Sequence, residues 1–252
     1  MFPGLPCVMP LRMIRAIMTT APSAASPNRA LWAHVLPFLA WVVIMSLAFT
    51  GAAKLYAIQA ALALTLFMGW RPWTYYSPVA VRRFPLAVLI GALVCVIWIL
   101  PETNWFSRFP WLQDLYLCWG VRPLGEITGT PLHSPYAPES CGWGLSLAKL
   151  AGSAFVIATL EEFFWRGFLY RWLAEREFTK VDPRAGHLMA FAIMVVLFGL
   201  EHDRWLAGMI AGAAYGAVYV FTRDLWAAVV AHVTTNLLLG LYVLAYGQYR
   251  FW

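Results

Sequence analysis

The run Glu161-Glu162-Phe163-Phe164-Trp165-Arg166 sets two carboxylates and a guanidinium in a stretch otherwise made of Leu, Ala, Phe and Trp. Glu162 and Arg166 stand at i and i+4, so they share a helix face, with Glu in the favourable N-terminal position. Glu161 falls about 100° round the helix from Glu162 and about 140° from Arg166. Arg166 can therefore neutralise Glu162 while Glu161 points elsewhere. A carboxylate without a cation in an apolar site can take up a proton near neutral pH, as general acid or base chemistry requires. The same three residues would also serve as a buried charge cluster that only anchors the cytoplasmic end of the helix.

Two further clusters follow. Phe198-Gly199-Leu200-Glu201-His202-Asp203-Arg204 closes an apolar run with a histidine between acidic neighbours. Glu201, Asp203 and Arg204 read as an ordinary helix-end cluster in the interface, which leaves His202 as the chemical candidate. His232 and Asn236, at i and i+4 in a run of Ala, Val and Leu, present two hydrogen-bond donors from one face. They would equally link helices by polar contacts. Thr234 and Thr235, between them, read as bonded to their own helix backbone. Two glutamates, two histidines and an asparagine fit hydrolysis: a carboxylate and an imidazole activate water, and two donors hold an oxyanion.

The elements that carry these residues must lie in lipid. Of 252 residues 62% are hydrophobic and 12% charged, with a mean hydropathy of +0.66. So little charge cannot cover so much apolar surface in water. Disorder, a disulfide-rich secreted module and nucleic-acid binding are excluded as poor fits, and Cys7, Cys95, Cys118 and Cys141 form no metal pattern. Seven apolar stretches stand out, at Leu31–Thr50, Leu55–Trp70, Phe84–Leu100, Gly144–Tyr170, His187–Leu200, Leu206–Phe221 and Leu225–Tyr246. The expected fold is all-α, a polytopic transmembrane bundle of about seven to eight helices. An eighth crossing would have to lie between Trp105 and Trp119, near the interrupting Pro110, Asp114, Gly120 and Pro123. Gly208, Gly212 and Gly216 repeat every four residues and read as a packing ridge.

Residues 1–30 are Pro-rich and lack a signal-peptide core, so a disordered cytoplasmic lead is expected, with Met13 or Met18 as alternative starts. Residues 31–142 would form N-terminal helices and a polar loop, and residues 143–252 a catalytic core. The net charge of +6 reflects 18 basic against 12 acidic residues. With the N-terminus inside and seven crossings, the inner side takes Arg12, Arg15, Arg29, Arg71, Arg82, Arg83, Arg171, Arg176, Lys180, Arg184 and Arg223. The outer side takes Lys54, Arg108, Arg122, Lys149, Arg204 and Arg250. This bias favours a cytoplasmic N-terminus. If Pro101–Gly142 is outside, Cys118 and Cys141 either pair there or remain buried thiols. The topology puts Glu161 and His232 toward the cytoplasm but leaves His202 near the far end of its helix. A shared site needs one depth, so either the fifth helix sits differently or the boundaries shift by a turn or more.

In these motifs the sequence resembles the CAAX protease and bacteriocin-processing family, intramembrane proteases related to the Ras-converting CAAX endopeptidase. EExxxR is met by Glu161, Glu162 and Arg166, FxxxH by Phe198 and His202, and HxxxN by His232 and Asn236. The resemblance covers about residues 143–246. It implies a glutamate-dependent endopeptidase with no metal or other cofactor, acting on a membrane-anchored peptide or protein. Glu161 and His202 would activate water, His232 and Asn236 would hold the oxyanion, and Glu162 and Arg166 would support the site. Phe163 to Leu169 further resembles an exosortase-associated subgroup. That implies exosortase-system components as partners and a bacterial cytoplasmic (inner) membrane as location. Prenylation of the substrate does not follow from the family's name.

Two other functions fit the same residues. A zinc peptidase would use Glu and two His as ligands, although HExxH is absent. A non-catalytic membrane scaffold or immunity protein would keep fold and motif without chemistry.

Overall fold

The computed structural model describes residues 27–47, 53–121 and 134–252. The expected N-terminal lead, apart from its last four residues, lies outside them, as do Cys7, Arg122 and Pro123. The described chain is a helical bundle, with no strand among the described residues. Its helices are α1 (Pro27–Leu47), α2 (Ala53–Trp70), α3 (Phe84–Ile99), α4 (Pro110–Tyr116), α5 (Trp143–Ala174), α6 (Leu188–Leu200), α7 (Trp205–Thr222) and α8 (Leu225–Tyr246). Each of the seven apolar stretches falls on one of these helices. The stretch around Trp105–Trp119 instead forms a 3-10 turn, the short α4 and a π-helical turn at Leu117–Val121.

Ala53–Trp70, Val81–Glu102, Trp143–Ala174, Trp205–Thr222 and Leu225–Tyr246 are long and apolar enough to cross a bilayer, while Asn28–Ile44 and Leu188–Leu200 are shorter apolar helices. Outward-facing Ile58, Leu89, Leu93, Val96 and Phe155 are exposed, as a lipid-facing surface requires. The chain is an integral membrane protein.

Two close helix pairs organise the interior. α8 lies against α3, where a Cβ on Gly91 would collide with the Ala231 carbonyl and Thr234. α7 lies against α6 through the glycine ridge: Gly208 meets Gly199, Gly212 meets Phe198, and Gly216 meets Phe191 and Met194. α5 is interrupted by two π-helical stretches, Gly152–Ile157 and Phe163–Leu169, which bracket Ala158–Glu162. Phe163, Trp165 and Phe168 are buried, and Phe163 meets Phe67, Tyr76 and Trp226 edge-on. The aromatic run is thus a packing element of α5.

Polar contacts tie the two ends. At one, Asp224 caps α8 by accepting the Trp226 N–H at 3.0 Å and faces Arg83 at 4.0 Å, while Arg223 pairs with Asp182 at 2.7 Å. At the other, Arg204 and Arg250 converge on Glu102, with Arg204 Nη2 2.9 Å from Oε2. Cys118 and Cys141 do not pair. Cys118 is exposed, and Cys141 Sγ makes local contacts with the Ala137 carbonyl and Ser146 hydroxyl.

Candidate active site

α5 presents its two adjacent glutamates to different surroundings. Glu162 and Arg166 are fully buried and form an ion pair at 3.0 Å. The guanidinium also donates to the Gly212 carbonyl at 3.0 Å and lies 4.2 Å from the Phe198 ring centroid and 5.5 Å from that of Tyr215. Carboxylate, backbone carbonyl and two aromatic faces surround the cation. Glycine at 212 brings the α7 backbone within reach of Arg166. Glu161 faces a cavity instead, alongside Glu201, His202, His232, Asn236 and Tyr215.

His232 joins the two carboxylates. Its Nδ1 lies 2.9 Å from Glu162 Oε1 and its Nε2 3.6 Å from Glu161 Oε2. An ionised Glu162 can only accept, so the proton of that contact sits on Nδ1. The ring stacks on Tyr215 at 4.7 Å and 21° between planes, and Tyr215 donates to Thr235 Oγ1 at 2.7 Å. Thr235 in turn donates to the Gly91 carbonyl of α3 at 2.8 Å. This corrects the reading of Thr235 as bonded only to its own helix, although it also reaches Ala231 O at 3.2 Å. Thr234 does bond within its helix, to Val230 O. α3, α7 and α8 thus fix the plane of the His232 ring through one chain of contacts.

His202 lies just past α6. Its Nδ1 is 2.8 Å from the Phe198 carbonyl, so Nδ1–H donates and the Nε2 lone pair is left for other contacts. Trp98 meets the ring edge-on at 5.4 Å. Asn236 donates one Nδ2–H to the Ser153 carbonyl at 3.1 Å, inside the first π-helical stretch of α5. Its amide has a second N–H.

The depth conflict raised by the sequence resolves through helix lengths. α5 continues to Ala174, beyond the expected end at Tyr170, so Glu161 is central in a 32-residue helix. The 13 residues from Glu162 to Ala174 correspond to roughly 20 Å, as do the 13 residues of α6. A helix of that length stops short of a hydrocarbon layer of about 30 Å. His202 therefore ends at the level of Glu161.

Glu201 is the residue the sequence reading placed elsewhere. It lines the cavity and accepts a hydrogen bond from Trp165 Nε1 at 3.0 Å; its partner sits 36 positions away, where no local spacing could reveal it. Arg204 is buried against Glu102 of the 3-10 turn after α3, a latch between elements. Tyr215 lay unnoticed on the glycine ridge, where a large residue with a polar tip among Gly and Ala was the available signal. Among the described residues, no three of His, Cys, Asp and Glu are grouped so as to hold a metal ion.

Six polar residues from α5, the α6 end and α8 thus meet around one cavity or directly behind it, and the arrangement can move a proton and donate hydrogen bonds to a developing charge. No curated protein and no solved structure matches the chain. A family model does match part of the chain: residues 143–238, which contain all six, are similar to the model described as type II CAAX prenyl endopeptidase Rce1-like.

Proposed function

We propose that the protein is a glutamate-dependent intramembrane endopeptidase that hydrolyses a peptide bond of a membrane-anchored substrate. The observation that carries this reading is the split between the two glutamates. Glu162 is neutralised by Arg166, while Glu161 faces the cavity with an imidazole 3.6 Å away. The family match supports peptide hydrolysis as the reaction class.

In this mechanism Glu161 takes a proton from water as the water oxygen bonds to the scissile carbonyl carbon. His202 Nε2 accepts a hydrogen bond from the same water and orients it. The carbonyl oxygen becomes an oxyanion, held by the second Asn236 N–H and by His232. With Nδ1–H committed to Glu162, His232 donates from Nε2 only as an imidazolium. That form carries a proton bound before water attacks, and the Glu162 carboxylate 2.9 Å from Nδ1 favours it, since Glu161 is neutral once it has taken the proton of water. Collapse of the intermediate breaks the C–N bond, and the proton on Glu161 passes to the leaving amine.

Two variants separate the roles. In detergent, with an anchored reporter peptide, His202→Ala should lower kcat by about 10²–10⁴. Asn236→Ala should lower it by about 10²–10³ with little change in KM, as loss of a transition-state donor does. An Asn236→Ala effect confined to KM would place this residue in substrate binding instead. A chelator should leave turnover unchanged; activity lost on chelation and restored by zinc would favour a metallopeptidase.

A further inference from the structure

At the end of the bundle away from Glu161, a second pocket is lined by Tyr76, Ser77, Arg171, Tyr219, Arg223 and Asp224 among others. Arg171 is only 6% exposed. Of the nearby aspartates, Asp224 accepts the Trp226 N–H through Oδ1 while its Oδ2 faces Arg83 at 4.0 Å with no hydrogen-bond partner among the described residues, and Asp182 pairs with Arg223. Arg171 has no carboxylate partner among the described residues. Its Nη2 donates to the Thr179 carbonyl at 2.7 Å, its guanidinium lies 5.7 Å from the Tyr76 ring centroid, and its Nε has no hydrogen-bond partner.

A buried cation without a counter-charge is expensive. A guanidinium fork matches phosphate oxygens, and the hydroxyls of Ser77 and Tyr219 add neutral donors. Arg71, Arg82, Arg83, Arg176, Lys180, Arg184 and Arg223 flank the pocket in sequence on the same side. The pocket lies where α5 is about to end and α8 begins, the level at which a bilayer carries its headgroups.

We propose that this pocket binds a phosphate group, from an anionic lipid headgroup or from free phosphate, with Arg171 as its principal ligand. Through the Arg171–Thr179 contact the bound anion steadies the segment between α5 and α6, the connection that leads toward His202.

The test titrates the delipidated full chain in neutral detergent with phosphatidylglycerol, phosphatidylcholine or inorganic phosphate, read by native mass spectrometry and thermal shift. Phosphatidylglycerol should bind and phosphatidylcholine should not. Arg171→Gln should weaken phosphatidylglycerol binding by about tenfold or more. Ser77→Glu, on an exposed side chain at the pocket wall, should do the same without removing a buried group. Arg176→Gln, exposed and outside the pocket, should stay within about twofold and so separates the pocket from general surface attraction. Displacement of the lipid by millimolar inorganic phosphate identifies free phosphate as a competent ligand; lipid binding indifferent to phosphate identifies the headgroup. The proposal is overturned if neither probe binds, if Arg171→Gln and Ser77→Glu bind like the wild type, or if Arg176→Gln loses as much as they do.

Discussion

Glu161 and Glu162 are neighbours in sequence and opposites in environment, and that opposition is the centre of the proposed chemistry. Glu162 Oε1 accepts from both Arg166 and His232, while its Oε2 has no hydrogen-bond partner among the described residues. The pair is wholly buried, so removing one charge strands the other. Glu162→Gln should therefore destabilise the fold by about 3–5 kcal/mol, read as a lowered unfolding midpoint in detergent. The double variant Glu162→Gln/Arg166→Met should recover much of that loss in stability while activity stays low, because His232 still lacks its carboxylate. Equal stability of Glu162→Gln and wild type would show that the pair carries no structural load. The face-sharing of Glu162 and Arg166 was legible from i, i+4 spacing alone. Glu201 and Tyr215 were not, since their roles depend on Trp165, His232 and Thr235 from other helices.

At the scale of elements, α5, the end of α6 and α8 hold the groups proposed to react, and their neighbours set the positions. The apolar runs marked these helices because about 20 apolar residues have few alternatives to a transmembrane helix. The two π-helical stretches of α5 were not legible, because the same sequence also satisfies α-helical periodicity. Yet they bracket Ala158–Glu162, and Asn236 bonds to a carbonyl within the first. π-Bulges are frequent at functional sites. α3 matters through Gly91, where the α8 backbone comes so close that a side chain must displace it. Gly91→Val should cost about 1–3 kcal/mol by overpacking and also lower kcat, since the displaced α8 carries His232 and Asn236. Gly144→Ala, where a Cβ would meet nothing within 4 Å, should leave both unchanged. Full activity in Gly91→Val would mean that the α3–α8 contact does not position the site.

For the whole molecule, the end bearing Arg171, Arg184 and Arg223 is the basic one, and the cavity holding Glu161 lies toward the other. From the charge bias we propose that the basic end faces the cytoplasm. Exposed Cys118 should then be labelled by an impermeant maleimide in intact cells, whereas Arg176→Cys, in a background lacking Cys7, Cys118 and Cys141, should label only after lysis. The reverse pattern would invert the topology. A cavity set among membrane-spanning helices would suit a substrate that is itself anchored in the bilayer, and the scarcity of charge in the helices makes each remaining charge informative. The most direct test is the turnover of Glu161→Gln, purified in detergent and confirmed folded by an unchanged unfolding midpoint, on an anchored peptide that the wild type cleaves. At least about a hundredfold loss of kcat is expected, because an amide cannot take the proton from water. Cleavage at the wild-type rate would contradict Glu161 as the base.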